Sequence, residues 1–214
     1  VLVDGMGMTL LEEHRELAPF LTSLNSIADV SSSVPSTTSV NLTSLGTGLL
    51  PGCHGMAGYT CRIPGTMKVL NTLRWDSGIN PYEWQPHPTV FEQLAQSGVG
   101  VSVLNKDDFE HSGLTQSSQR GVPYISVENS WERLIAVSTA IEQSERALVF
   151  GYESSLDFAG HAYGVDSEEW RDALRRIDED LAELHSSLPS GVTLVITADH
   201  GMVDIGLKDR FDVI

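Results

Sequence analysis

Three aspartates of this chain stand at or just past the ends of apolar, strand-like runs: Asp4 after residues 1–3, Asp157 after residues 147–152 and Asp199 after residues 192–198. Two bring a histidine with them, Asp157 in a D-x-x-G-H pattern with His161 and Asp199 immediately before His200. Carboxylate with imidazole suits zinc or manganese, and a divalent charge favours ionised Asp and neutral His. In open α/β sheets ligands collect outside the carboxyl ends of the strands, where residues distant in sequence meet. The pattern therefore predicts a metal site built for chemistry. Taken singly, each piece has a plainer reading. Asp199-His200-Gly201 also fits a polar turn after a buried strand, and Asp157 with His161 also fits an i, i+4 helix salt bridge or a cap. Gly160 and Gly164 argue against a regular helix there and for a tight turn that aims both side chains at one cation. Asp4 fits a strand-end acid, whereas Asp4-Gly5-Met6-Gly7 fails as a dinucleotide fingerprint for want of the third glycine.

A fourth piece is the hydroxyl cluster Pro35-Ser36-Thr37-Thr38-Ser39-Val40-Asn41. By default such a cluster before an apolar helix is an N-cap. A helix N-terminus also favours a phosphoryl group, through its partial positive charge and free N–H groups. A threonine hydroxyl bound to a metal there can lose its proton near neutral pH and become a nucleophile. Asn41, one helical turn on, can aim its amide N–H at a non-bridging phosphate oxygen.

Elements able to position these residues alternate along the chain. Strands are expected at 1–3, 28–34, 99–104, 124–127, 147–152 and 192–197, and helices at 9–18, 20–27, 38–45, 89–97, 130–144 and 167–188. That alternation predicts an α/β fold, a doubly wound, mostly parallel sheet sandwiched by helices. Residues 56–88 break the pattern with Gly, Pro, Asn and Trp and read as an irregular insertion or lid. With 214 residues there is room for one α/β domain over 1–214. The chain opens mid-strand and stops at 211–214 on what reads as the start of another element, so it is read as a fragment truncated at both ends, with any targeting signal out of view.

A formal net charge of −16 argues against a nucleic-acid groove or an anionic membrane as partner, and no apolar run is long enough to span a bilayer. A phosphate substrate stays compatible, because bound divalent cations reverse the local sign. Part of the acidity, Glu168, Glu169, Asp172, Asp178, Glu179, Asp180 and Glu183, reads as the solvated face of one helix. Cys53 and Cys61 demand no disulfide; the compartment is left open with the cytoplasm favoured, and oligomeric state is not legible.

Together these pieces resemble the alkaline phosphatase superfamily, and most closely its type I phosphodiesterase / nucleotide pyrophosphatase branch. The resemblance rests on the first-strand Asp4, the segment Pro35–Gly55 with Thr followed three residues on by Asn and then T-G-x-x-P-x-x-H-G, D-x-x-G-H at 157–161 and D-H-G-M at 199–202. It implies metal-dependent hydrolysis of phosphodiester or pyrophosphate bonds in a small phosphate ester, through a phosphothreonine intermediate on Thr38, with Asn41 on the phosphoryl oxygen. It implies two divalent ions, zinc first and manganese as the alternative. One would be held by Asp4, Thr38, Asp199 and His200, and the other by Asp157, His161 and a further histidine expected beyond Ile214. His54 matches a position taken as structural, and His14, His87, His111 and His185 are expected to be surface or packing residues. Ser39 replaces the family's bulky aromatic after the nucleophile, which weakens the case for a nucleotide. Trp84, with Trp75 and Tyr82, is a candidate stacking wall, although local packing is the commoner role of such aromatics. Phosphomonoester or phosphonate hydrolysis is the alternative within the superfamily, and a metal- or nucleotide-binding module without turnover the alternative outside it. A sulfatase is disfavoured because 35–41 lacks the required Arg.

Overall fold

The computed structural model describes residues 1–28, 30–75 and 78–210. Its centre is a four-stranded parallel sheet of β1 (Leu2–Val3), β4 (Gly100–Asn105), β5 (Tyr124–Ser126) and β6 (Ala147–Glu153), in the order β1-β6-β4-β5. Strands β2 (Thr60–Arg62) and β3 (Val69–Asn71) form a separate antiparallel hairpin. Register brings the ends of β1 and β6 level, Leu2 opposite Tyr152 and Val3 opposite Glu153. The alternation of side chains then divides the core. Val3 joins the larger cluster, while Leu2 turns to the other face and packs with Leu42, Met56 and Leu114.

Ten α-helices among the described residues surround the sheet: α1 (Met8–Glu13), α2 (Pro19–Ser23), α3 (Thr38–Thr47), α4 (Pro51–His54), α5 (Pro81–Trp84), α6 (Val90–Gln96), α7 (Gly113–Ser118), α8 (Ser130–Glu142), α9 (Ser155–Tyr163) and α10 (Glu168–Ser187). The longest, α10, is about 30 Å of helix. It buries Trp170, Leu174, Ile177, Leu181 and Leu184 at alternating steps of four and three, which keeps one apolar stripe on the core. Ser167 caps it by accepting from the Trp170 N–H. Asp178, expected on the solvated face, is instead buried and accepts from the Phe20 and Leu21 N–H groups at 3.1 and 2.8 Å. It supplies the N-terminal cap that α2 lacks from its own sequence.

The α/β expectation holds, with local corrections. The helix expected over 9–18 stops at Glu13, where the His14 backbone leaves helical geometry (φ −117°, ψ 29°). The chain goes on in tighter turns, from the Leu17 N–H to the His14 carbonyl (2.8 Å) and from the Ala18 N–H to the Arg15 carbonyl (3.3 Å), and the His14 ring packs edge-on against Trp170. The second helix ends at Ser23 rather than 27. Residues 28–34 do not form a strand where they are described. Val30 and Val34 are 82% and 85% exposed, so the β-branched run has no apolar surface to cover; Asp29 lies outside the described residues. Segment 192–197 lies beside β1, through Val3 N–H to the Thr197 carbonyl and Thr197 N–H to the Val1 carbonyl, but pairs only as a single bridge, Leu2 with Thr197. Residues 56–88, expected to be irregular, contain the β2–β3 hairpin and α5. Helices α4 and α7 were not anticipated, and the element expected at 211–214 lies outside the described residues. No helix among them is long and apolar enough to cross a membrane. Cys53 and Cys61 are both free thiols.

Candidate metal centre

The carboxyl ends of β1 and β6, the start of α9, the N-terminus of α3 and the segment after 192–197 meet at one rim of the sheet. Asp4, Asp157 and His200 each place a ligand atom within 4.8 Å of the others there. Asp199 joins them, its Oδ2 lying 3.6 Å from His200 Nε2, while Asp4 Oδ1 lies 3.2 Å from the same nitrogen. Thr38 Oγ1 is 3.1 Å from His200 Nε2. The backbone allows this convergence because the turn after β1 touches the segment after His200. A Cβ on Gly7 would sit 2.6 Å from the Gly201 Cα. Gly7→Ala should therefore cost about 2–3 kcal/mol in unfolding free energy by denaturant titration and weaken metal binding as well, since Asp4 and His200 would be pushed apart.

Asp4, Asp199 and His200 are each tethered on one side and left open on the other. Tyr152 donates its hydroxyl hydrogen to Asp4 Oδ2. Asp199 Oδ1 accepts from the N–H groups of Gly5 (3.3 Å) and His200 (3.0 Å). His200 Nδ1 donates to the Gly201 carbonyl at 3.0 Å, which puts the ring's lone pair on Nε2, facing Asp4, Asp199 and Thr38. Asp4 Oδ1, Asp199 Oδ2 and Asp157 Oδ1 are buried and accept no hydrogen bond. Buried carboxylate oxygens without donors are costly in a protein interior, and the same atoms are what a divalent cation requires. The outer hydrogen bonds that orient metal ligands are in place as well. The donor set fits a divalent ion.

Electrostatics agree. Burial, then the neighbouring Asp199 and Asp157, push the Asp4 carboxyl up to about 8. Burial also raises Asp199. The Tyr152 phenol is raised by burial and by Asp4, so it remains the donor of that hydrogen bond.

The sequence-derived candidates divide. Asp4, Thr38, Asp157, Asp199 and His200 come together. His161 lies on α9 with Asp157, its Nε2 3.5 Å from Asp157 Oδ2, and its side chain is 75% exposed. The expectation that Gly160 and Gly164 preclude a regular helix is thus corrected. Gly160 lies within the helix, where the missing Cβ leaves room for Met202, whose Sδ would sit 2.6 Å from one, and Gly164, at φ 98°, ends the helix rather than interrupting it. Asn41, expected to face a phosphoryl oxygen, is turned elsewhere. It is 7% exposed, its Oδ1 accepts from the Ser33 N–H (2.6 Å) and its Nδ2 donates to the Thr37 carbonyl (3.1 Å). Ser39 is 1% exposed and bonded to Gly58 and Thr72, so the side chain after Thr38 faces the interior here. Trp84 packs on the Leu2, Leu42, Met56 and Leu114 cluster with Trp75 edge-on, so its ring is engaged in packing. Tyr152 was missed; pairing β1 with β6 in register would have exposed it.

His54 is buried, and burial lowers its imidazole to about 4, with His87 adding to the effect. An unfolded histidine titrates near about 6.5, so between those values the unfolded chain binds more protons. The stability contributed is present above about 6.5 and lost as pH falls towards 4, on the order of 2–3 kcal/mol. The check is the pH dependence of unfolding free energy for wild type minus His54→Gln.

A parallel sheet with acids, an imidazole and a helix-N-terminal hydroxyl at its carboxyl rim places the molecule among alkaline-phosphatase-like α/β proteins. The family model described as type I phosphodiesterase / nucleotide pyrophosphatase matches residues 1–213, and the chain belongs to that family. It is 29% identical over 142 residues to ectonucleotide pyrophosphatase/phosphodiesterase family member 7 of Rattus norvegicus, covering 63% of this chain and 31% of that protein. It is also 29% identical over 160 residues to phosphopentomutase of Caldanaerobacter subterraneus subsp. tengcongensis, covering 72% of this chain and 37% of the relative. The crystal structure of phosphonoacetate hydrolase from Sinorhizobium meliloti 1021 in complex with phosphonoformate shares the fold, with a TM-score of 0.65 at 21% identity, over 94% of this chain and 55% of that one. The chain thus spans about a third of the length of these curated relatives.

Proposed function

We propose that this chain carries the nucleophile and metal-binding residues of a metal-dependent hydrolase of phosphodiester or pyrophosphate bonds. The observation that supports it most is the placement of Thr38 Oγ1, 3.1 Å from His200 Nε2, at the rim where one buried oxygen each of Asp4, Asp157 and Asp199 accepts no hydrogen bond. One divalent ion, zinc or manganese, would be held by Asp4, Asp199, His200 and Thr38, and a second by Asp157 and His161. When bound, such ions lower the pKa of a ligating hydroxyl and offset charge on phosphoryl oxygens. Thr38, first residue of α3, presents its hydroxyl where the helix amides are free. The Thr37 side chain does not cap the helix, so an anion meets unclaimed N–H groups and the favourable end of the helix dipole. Thr38 Oγ, its proton released to solvent, forms a bond to phosphorus as the bond from phosphorus to the leaving oxygen breaks; water then displaces the threonine oxygen and restores it.

The test compares bis-p-nitrophenyl phosphate with p-nitrophenyl phosphate, each with and without EDTA. Faster diester hydrolysis that the chelator stops supports the reading. Faster monoester hydrolysis would make it a phosphomonoesterase of the same superfamily, and calorimetric metal binding without turnover a binding module.

A further inference from the structure

A line of hydrogen bonds, buried at His54 and partly buried beyond it, runs from the end of α4 to the peptide that carries the nucleophile. His54 is 1% exposed. Its Nδ1 accepts from the Met56 N–H at 3.1 Å, so the ring proton is on Nε2, which reaches Ser44 Oγ at 2.9 Å. Ser44 Oγ lies 3.2 Å from Ser33 Oγ. The Ser33 N–H donates to Asn41 Oδ1 at 2.6 Å. The Thr37 carbonyl then accepts twice from Asn41, from its backbone N–H at 3.0 Å and from Nδ2 at 3.1 Å.

We propose that His54 is a positioning residue for Thr38, acting through Ser44, Ser33 and Asn41 to hold the 37–38 peptide against the metal centre. The inference rests on Thr38 being the nucleophile. Packing alone would not need this arrangement. An apolar side chain of similar volume would fill the space, whereas here both ring nitrogens and both ends of the Asn41 amide are used. Such networks, when every member is satisfied, select one geometry over near alternatives. A misplacement of about 1 Å at a nucleophile is enough to slow attack severely. Lowering of the imidazole to about 4 keeps the ring neutral, and so keeps the direction of the Nε2–H bond, throughout the range in which a hydrolase works.

The test is a double-mutant cycle on bis-p-nitrophenyl phosphate hydrolysis with metal-loaded protein, joined to amide hydrogen exchange on the metal-free chain. His54→Leu should lose about tenfold in kcat with KM within about twofold, roughly the size of one buried hydrogen bond. His54→Gln, whose amide nitrogen reaches the place of Nε2, should recover most of the loss. In an Asn41→Ala background the same leucine substitution should cost less than about twofold, because the line is already cut. Exchange at the Ser33 and Asn41 amides should quicken about tenfold in His54→Leu while α10 stays protected. A loss that persists undiminished with Asn41→Ala, or unchanged exchange at Ser33, overturns the proposal. Where His54→Leu does not fold, Ser44→Ala carries the same cycle with the same two outcomes. A wild type that turns nothing over sinks the reading of Thr38 and this inference together; an active wild type with additive variants sinks this inference alone.

Discussion

Replacing Thr38 by alanine is expected to lower the hydrolytic rate by about 1,000-fold or more, the scale on which loss of a nucleophile registers. Metal affinity should fall far less, within about tenfold, because Asp4, Asp199 and His200 remain to bind. The two quantities separate the roles of one residue: calorimetry reads the site, and release of p-nitrophenol reads the attack. Thr38→Ser keeps an oxygen near His200 Nε2 and should recover much of the rate. Thr37→Ala should cost far less than Thr38→Ala, since the Thr37 hydroxyl lies by Ser39 Oγ at 3.4 Å rather than by His200. Equal rates for wild type and Thr38→Ala would remove the threonine from the chemistry.

The second large effect is at Asp4. Burial and two neighbouring carboxylates raise this group to about 8, against about 3.9 in an unfolded chain. An acid raised on folding contributes stability that is complete below the unfolded value and is lost as pH rises through the folded one. The metal-free protein should accordingly lose stability at Asp4 between about pH 4 and pH 8. Metal binding requires the carboxylate, so the thermal shift produced by zinc or manganese should grow across the same interval. Asp4→Asn keeps an oxygen that can accept from Tyr152 but removes the charge. It should raise the metal-free unfolding free energy at pH 8 by about 1–2 kcal/mol while weakening metal binding by more than about 100-fold. A variant that is less stable without metal and binds as tightly as wild type would contradict both halves. The His54 effect has the opposite slope over part of this range, so each is read as a difference between wild type and its own variant.

How much of this was legible from residue order can be argued from particular positions. The doubly wound α/β fold follows from strands alternating with amphipathic helices, a local signal that survives because each helix such as α10 must bury one stripe. Asp4, Asp157, Asp199 and His200 were legible because strand ends are a shared destination in such sheets, whatever the sequence separation. Thr38 was legible as the hydroxyl opening an apolar helix. What residue order left open was orientation. The direction of the Asn41 amide depends on Ser33, and the tether on Asp4 depends on a tyrosine brought level only by parallel pairing of β1 with β6. Gly160 stands inside a helix, against its local propensity, and there leaves the room that Met202 occupies. These are contacts between residues far apart in the chain, and no local propensity encodes them. The sequence by itself thus determined which groups gather at the rim of the sheet, and the tertiary structure decided which atom of each group is tethered and which is left for a cation.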